Sequence, residues 1–270
     1  MKRLVLTFLV LIATIASAGT INELPVDEHR GPWFQTIDID AQDYAYDVVT
    51  DTKRKGQTAL RFELRDGECY TAYPENPTQG WDDCVLDRER SEVRERWNPP
   101  LDKSVWYAIS VYIPADYEPM YPKQIFLQWH AGPSPAIYYQ LNKNNFYVDI
   151  LGEVGKTTTQ FNLGKDVLTL GEWHDIEVNI VWSGDEQSGR MILYVDGKKL
   201  VDYAGITLPP DVYKDMKNGA KTPEVKFGIY RSHLFRWTED RPHPTHIIYF
   251  DEYRRGLFQE EVDVDNYSGD

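Results

Sequence analysis

The sequence predicts an all-β sandwich, and three observations carry that expectation. Aromatic residues are abundant, with 18 Tyr, 10 Phe and 8 Trp beside 18 Gly and 16 Pro in 270 residues, a composition suited to pleated strands joined by turns. Short alternating or β-branched runs recur along the chain, separated by turn residues. No span sustains a 3.6-residue apolar period. A chain of this length buries roughly three quarters of its unfolded surface, and sandwiches of about 200–250 residues commonly form one domain. With no repeat, low-complexity tract or linker visible, residues 19–270 are expected to be a single domain.

The N-terminus reads as an export signal. Met1-Lys2-Arg3 supplies positive charge, Leu4 to Ile15 is almost wholly apolar, and Ala16-Ser17-Ala18 matches a small-x-small cleavage pattern. Residues 1–18 are therefore expected to be a secretory signal rather than an anchor, because the run falls short of the about 20 residues that span a bilayer. A secreted or periplasmic product with no membrane partner follows. In that oxidising setting Cys69 and Cys84, which flank a Pro/Gly/Asn-rich loop, are expected to form a disulfide, the alternative being two buried thiols.

The strands come in order as Thr58–Leu64, Arg88–Arg96, Val105–Ile113, Gln124–His130, Ala136–Leu141, Phe146–Leu151, Trp173–Trp182, Met191–Val195, Lys198–Val201, Val225–Tyr230 and His246–Tyr253. Asp196-Gly197 between two of these runs signals a hairpin. Pro209–Lys217 is the one helix expected. From Gln259 the chain is acidic and apolar-poor, so fraying is expected there.

Charge narrows the partners. The 43 acidic and 29 basic residues give a net charge of -14, so a polyanion must meet a local basic patch and nucleic acid is not an expected partner. Three strands supply such a patch. Alternate residues of a strand share a face, which groups Arg88, Arg90, Glu92, Arg94 and Arg96. In Gln124–His130, Ile125, Leu127 and Trp129 are expected in the core, with Gln124, Phe126, Gln128 and His130 on the other face. In Val225–Tyr230 the outward set is Lys226, Gly228 and Tyr230, and the mid-strand Gly lets another chain approach closely. The bland reading of the arginine strand is a solvated ladder in which Glu92 pairs with Arg90 or Arg94.

The order Arg90-Ser91-Glu92-Val93-Arg94, Gln128-Trp129-His130 and Lys226-Phe227-Gly228-Ile229-Tyr230 resembles the β-jelly-roll polysaccharide lyases, most closely the heparin lyase I and glucuronan lyase group. Flanking runs at 106–114, 171–175, 194–198 and 249–252 fit it, so the resemblance spans roughly 58–256. It implies a concanavalin A-like jelly roll whose concave sheet cleaves uronic-acid polymers by β-elimination. It assigns His130 and Tyr230 to proton transfer with Lys226 beside them, and Arg90 and Gln128 to the substrate carboxylate, with Glu92, Arg94 and Arg88 completing the binding face.

Among the two proton-transfer candidates, Tyr230 is expected to act as both base and acid on a glucuronate, and His130 mainly to neutralise the carboxylate. No cofactor is required, although the group often holds a structural Ca²⁺, placed here near Asp251. An anionic polysaccharide is the expected partner of a monomeric enzyme. Alginate lyases share the first two motifs but begin the third with a catalytic Tyr where this chain has Glu224, which makes glucuronate the preferred uronate. Other readings are an alginate lyase, a non-catalytic carbohydrate-binding module or lectin on the same fold, and a glycoside hydrolase, which would need two facing carboxylates. The remaining histidines, His174, His233, His243 and His246, read as structural, with no third zinc ligand at suitable spacing near His243 and His246.

Overall fold

The computed structural model describes residues 34–37, 42–69, 82–95, 97–143, 145–220 and 223–266. The expected signal at 1–18 and Arg96 lie outside them. In chain order the strands are β1 (Phe34–Ile37), β2 (Tyr46–Val49), β3 (Ala59–Leu64), β4 (Arg88–Glu95), β5 (Ser104–Tyr112), β6 (Gln124–Ala131), β7 (Ser134–Asn142), β8 (Asn145–Ile150) and β9 (Thr159–Gly164). They continue with β10 (Trp173–Val181), β11 (Arg190–Val195), β12 (Lys198–Ala204), the helix α1 (Pro210–Lys217), β13 (Glu224–Ser232) and β14 (His246–Gly256). Two seven-stranded antiparallel sheets result: a front sheet ordered β1-β4-β13-β6-β7-β8-β9 and a back sheet ordered β12-β11-β10-β5-β14-β3-β2. This is the jelly-roll sandwich that the sequence predicts.

The sheets meet through aromatic side chains. Phe227 of the front sheet packs on Phe62 and Phe250 of the back sheet at centroid distances of 6.0 and 5.3 Å. Trp129 of β6 meets Tyr107 of β5 at 5.4 Å. Each side chain of this size contributes about 1.5–3 kcal/mol on full burial. The helix forms where expected: Pro stands in its first turn, Val212 and Met216 bury one face four residues apart, and Lys214 and Lys217 occupy the last turn.

Three strands lie beyond those the sequence reading predicts, and each is an edge strand: β1 and β9 close the front sheet, and β2 closes the back. β1 and β2 are four residues long, too short for alternation to stand out in the sequence. The C-terminal segment differs from expectation too. It is pinned rather than frayed, because Val262 and Val264 are buried, Arg254 Nη1 donates to the Asp263 carbonyl at 2.7 Å, and Lys55 Nζ donates to that of Val264 at 2.6 Å.

The strand carrying Gln128 and His130 departs from strict alternation. Its register shifts between Ile125 and Leu127 against β7, and β13 shifts against it between Phe227 and Tyr230. Phe126 therefore joins Leu127 and Trp129 in the core, while Ile125 packs with Tyr138, Leu151 and Tyr230 in a separate small cluster. Gln124 also turns away from the site and bonds His246 Nδ1 at 2.9 Å. The faces expected for Ile125, Phe126 and Gln124 are thus exchanged by a bulge, the device that re-aims side chains beside functional sites. Gln128 keeps the face that alternation assigns, and so does His130 despite a second shift against β7 between Trp129 and His130.

Candidate active site

The outer face of the front sheet carries two lateral rows. Register places Arg94, Lys226, Gln128, Tyr138, Asp149 and Gln160 in one line across β4, β13, β6, β7, β8 and β9. Arg90, Tyr230, Ile125, Gln140, Tyr147 and Asn162 form the second. Between the rows Glu92 stands opposite Gly228, and His130 stands opposite Glu224 at one end. The catalytic and binding candidates of the three motifs thus come together on three adjacent strands.

Glu92 organises the first of these strands from below. It is fully buried, accepting from Gln128 Nε2 at 2.6 Å and from Arg90 Nη1 at 3.2 Å. The solvated ladder is excluded for this carboxylate. Arg90 is further clamped by Asp83, which receives Nε at 2.5 Å and Nη2 at 2.8 Å. Burial works against the charge of Arg90, but the Glu92 and Asp83 carboxylates outweigh it and hold the guanidinium protonated above its ordinary range. Its donors are fixed in advance, as electrostatic preorganisation requires.

Asp83 was not among the residues singled out in the sequence. It lies beside Cys84, whose disulfide to Cys69 brings the two Cα atoms to 5.0 Å. The cross-link tethers the segment that delivers Asp83, and adjacency to a cysteine was the only signal available. Arg94 reaches Glu224 at 3.7 Å. Arg88 lies close enough to Tyr230 to favour its ionised form.

Burial sets the electrostatics of the proton-transfer candidates. His130 is pushed down to about 3, first by burial and then by the Lys226, Arg90 and Arg94 cations. These effects favour the neutral imidazole at neutral pH. Lys226 is lowered chiefly by burial, with Glu92 opposing. Tyr230 is pushed up to about 12, because burial outweighs Arg90 and Arg88. The sequence reading required a cation to lower this hydroxyl, and in the unliganded protein the net shift runs the other way. Arg90 also sits over the Tyr230 ring, 4.6 Å from its centroid.

Gly228 has a narrower role than its mid-strand position suggests. Its φ is +132°, and a Cβ there would lie 2.3 Å from the Ser91 carbonyl oxygen and 2.9 Å from Glu92 Cα. The chain that approaches it is the neighbouring strand β4, which brings Glu92 into place.

Further along the rows lie residues outside the three motifs. Asp149 is buried and accepts from Gln140 Nε2 at 2.5 Å and Gln160 Nε2 at 2.8 Å. Lys123 Nζ donates to the Tyr138 hydroxyl at 2.8 Å. Alternation in β7 and β8 could have placed Tyr138, Gln140 and Asp149 on this face.

Metal ligation finds little support at Asp251. Its Oδ2 accepts the Arg54 and Lys55 N–H groups at 2.8 and 3.3 Å, and its Oδ1 that of Glu252 at 2.7 Å. Both carboxylate oxygens are thus already engaged by main-chain donors, and among the described residues no group of three carboxylate, histidine or cysteine ligands forms at Asp251, so the arrangement gives the expected ion no ligand set. Burial raises this carboxyl to about 6. Among the described residues the group of three candidate metal ligands is Asp66, Glu89 and His243, which tertiary contact assembles without any sequence spacing. Glu89 is engaged there by the buried Arg231 at 3.0 Å. His174 and His246 are structural, as expected: His174 Nδ1 meets Asp196 at 2.7 Å, and His246 is enclosed between Gln124 and the Glu118 carbonyl.

The outer face of this jelly roll is cationic and lined with amides, chemistry that can receive an anionic saccharide. The polysaccharide lyase family model matches residues 20–254, and the chain belongs to that family. Its fold is similar to the endo-β-1,4-glucuronan lyase of the fungus Trichoderma reesei, with a TM-score of 0.63 at 16% identity over 87% of this chain and 98% of that one. It is also similar to the alginate lyase AlgAT5 of polysaccharide lyase family 7, with a TM-score of 0.53 at 14% identity over 83% and 93% of the two chains. Among curated proteins no sequence matches.

Proposed function

We propose that this polysaccharide lyase cleaves a glucuronate-bearing polysaccharide by β-elimination on the outer face of the front sheet, outside the cytoplasm. The observation that carries the reading is the buried Arg90–Glu92–Gln128 array, bordered on adjacent strands by Lys226, His130 and Tyr230. Removing the C5 proton of a uronate converts its carboxylate into an enolate-like dianion, so donors must face that carboxylate before the proton leaves. Arg90, Gln128 and the neutral His130 imidazole meet this need. Each fixed donor of this kind contributes about 3–4 kcal/mol to transition-state stabilisation.

Tyr230 then carries the proton. Its phenolate takes the proton from C5, the electron pair forms the C4=C5 double bond, the C4–O4 bond breaks, and the departing O4 recovers the proton from the phenol. The C5 hydrogen and O4 of a glucuronate lie on the same side of the ring, which allows one residue to serve both steps. Arg90 and Arg88, on the neighbouring strand, favour the phenolate by their positive charge. The chemistry needs no cofactor. The name of the glucuronan lyase that the fold resembles supports the choice of uronate, as does Glu224 where alginate lyases carry a Tyr. The Cys69–Cys84 disulfide supports an oxidising location.

The test is absorbance near 235 nm, where the unsaturated uronate product absorbs, on glucuronan, heparin-like and alginate polymers. Product from glucuronan ahead of alginate is the expected result. Absence of product from every polyuronate would overturn the reading.

A further inference from the structure

We propose that the end of the front sheet nearest Arg88 carries a second anionic-saccharide subsite, built from Arg236, Lys143, Trp237 and Tyr121, which holds an acidic sugar of the substrate chain beyond those at the scissile bond. The proposal rests on the polyuronate reading above and extends it to residues that the motifs do not reach. A pocket of about 330 Å³ opens there, formed by the segment between β5 and β6, the β7–β8 turn and the turn after β13.

The charges of this pocket are unevenly committed. Its two carboxylates, Glu118 and Glu239, are both held by Arg241, which donates Nη2 to the first and Nε to the second at 2.6 Å. Lys143 and Arg236 make no ion pair among the described residues and are exposed. The two carboxylates of the lining thus share Arg241, which stands behind it, while the two lining cations, Lys143 and Arg236, are left to face the pocket in a chain of net charge -14. The aromatic walls are set for a sugar ring. Trp237 donates its indole N–H to the Arg241 carbonyl at 2.9 Å, which fixes the ring, and Tyr121 is 44% exposed. A planar guanidinium beside flat amphipathic rings matches a carboxylated pyranose, with one face apolar and one edge anionic.

Arg236 of the pocket is close enough to Lys123 to act on its charge, and Lys123 in turn meets the reaction rows. Lys123 lies 4.2 Å from the centroid of the Tyr138 ring, and Tyr138 packs with Ile125, Leu151 and Tyr230. The Lys123, Arg236 and Arg88 cations all act on His233, adding to the effect of burial in lowering its pKa. Arg88, Lys123 and Arg236 thus gather around His233 between the reaction rows and the pocket, with Asp87 the one carboxylate acting there, and mark the direction a chain of carboxylates would follow.

The experiment compares wild type with a Lys143→Ala/Arg236→Ala double variant and with Trp237→Ala on glucuronan and size-fractionated glucuronan oligosaccharides, following product at 235 nm. The expected result is a ratio of variant to wild-type KM that grows with chain length, reaching about tenfold on the polymer with little change in kcat, as loss of remote binding gives. Raising ionic strength should shrink the difference for the double variant. An equal ratio at every length overturns the subsite. If wild type forms no unsaturated product, the polyuronate reading falls by itself, and the subsite is judged by calorimetric binding of glucuronan to the same proteins. Equal affinity of wild type and double variant then overturns it.

Discussion

Burial raises the Tyr230 hydroxyl and lowers the His130 imidazole, and in the proposed elimination the first would have to ionise and the second stay neutral. With Tyr230 near 12, its ionised fraction rises about tenfold per pH unit below that value, so kcat/KM should climb steadily on the alkaline side until the protein unfolds. With His130 near 3, no limb should appear around pH 6.5. A rate profile showing a histidine limb there would assign His130 as the base. Tyr230→Phe should lower product formation at least about a hundredfold, the low end of acid–base contributions, while calorimetry shows substrate binding largely retained. Glu92→Gln replaces the anion beneath Arg90 and Gln128 with a neutral amide, and should cost activity more than tenfold, about 1.4 kcal/mol, by loosening both donors. The measurement is kcat/KM at constant pH, with melting temperature reported beside it.

At the level of elements, β13 and β4 are held in their close register by Gly228. A side chain at that position meets main-chain atoms at 2.3 and 2.9 Å, which cannot rotate away, and the φ of +132° adds strain of about 1–3 kcal/mol. Gly228→Ala should lower the melting temperature by several degrees and impair catalysis, because Lys226 and Tyr230 flank the shifted segment. A variant as stable and active as wild type would show that the two strands can separate freely. The Cys69–Cys84 cross-link acts on the same strand from its other end. Paired Cys69→Ser and Cys84→Ser changes should cost about 3 kcal/mol of stability through loop-closure entropy. Activity measured well below the melting temperature should fall too, because Asp83 loses the tether that presses it on Arg90. Retention of full activity in a destabilised variant would separate the disulfide from the site.

For the molecule as a whole, the buried histidines tie stability to pH. His130 and His246 are held near 3 in the folded state against an ordinary value of 6.5. Their contribution is complete above pH 6.5 and is lost as pH falls toward 3, because the unfolded chain binds protons that the folded one does not. Asp251, raised to about 6 from 3.8, acts in the opposite sense between those two values, since its folded form binds the proton more tightly. Glu95 and Glu177, also raised by burial, act with Asp251, and His233 acts with the other histidines; the two large histidine shifts dominate, so stability should decline as pH falls from 6 to 4. Calorimetric melting across that range checks this, and a melting temperature that rises on acidification would contradict it. Adding a chelator should leave the melting temperature unchanged if the main-chain donors hold Asp251 as described.

The sandwich, the helix over Pro210–Lys217 and the outward placement of Arg90, Glu92, Gln128, His130, Lys226 and Tyr230 were determined by the sequence itself, because each depends on a local period or on turn residues a few positions away. The family resemblance was legible for the same reason, its motifs being short runs on single strands. Other features were decided only by tertiary structure. The bulge that exchanges Ile125 with Phe126 depends on which strands flank β6 and in what register. The clamp of Asp83 on Arg90 requires the loop closed by Cys69 and Cys84. The opposite shifts of Tyr230 and His130 come from removal of water by neighbouring strands. Alternation is a property of one strand, whereas register, burial and charge pairing belong to strands distant in the chain, and a single sequence records no partner for them.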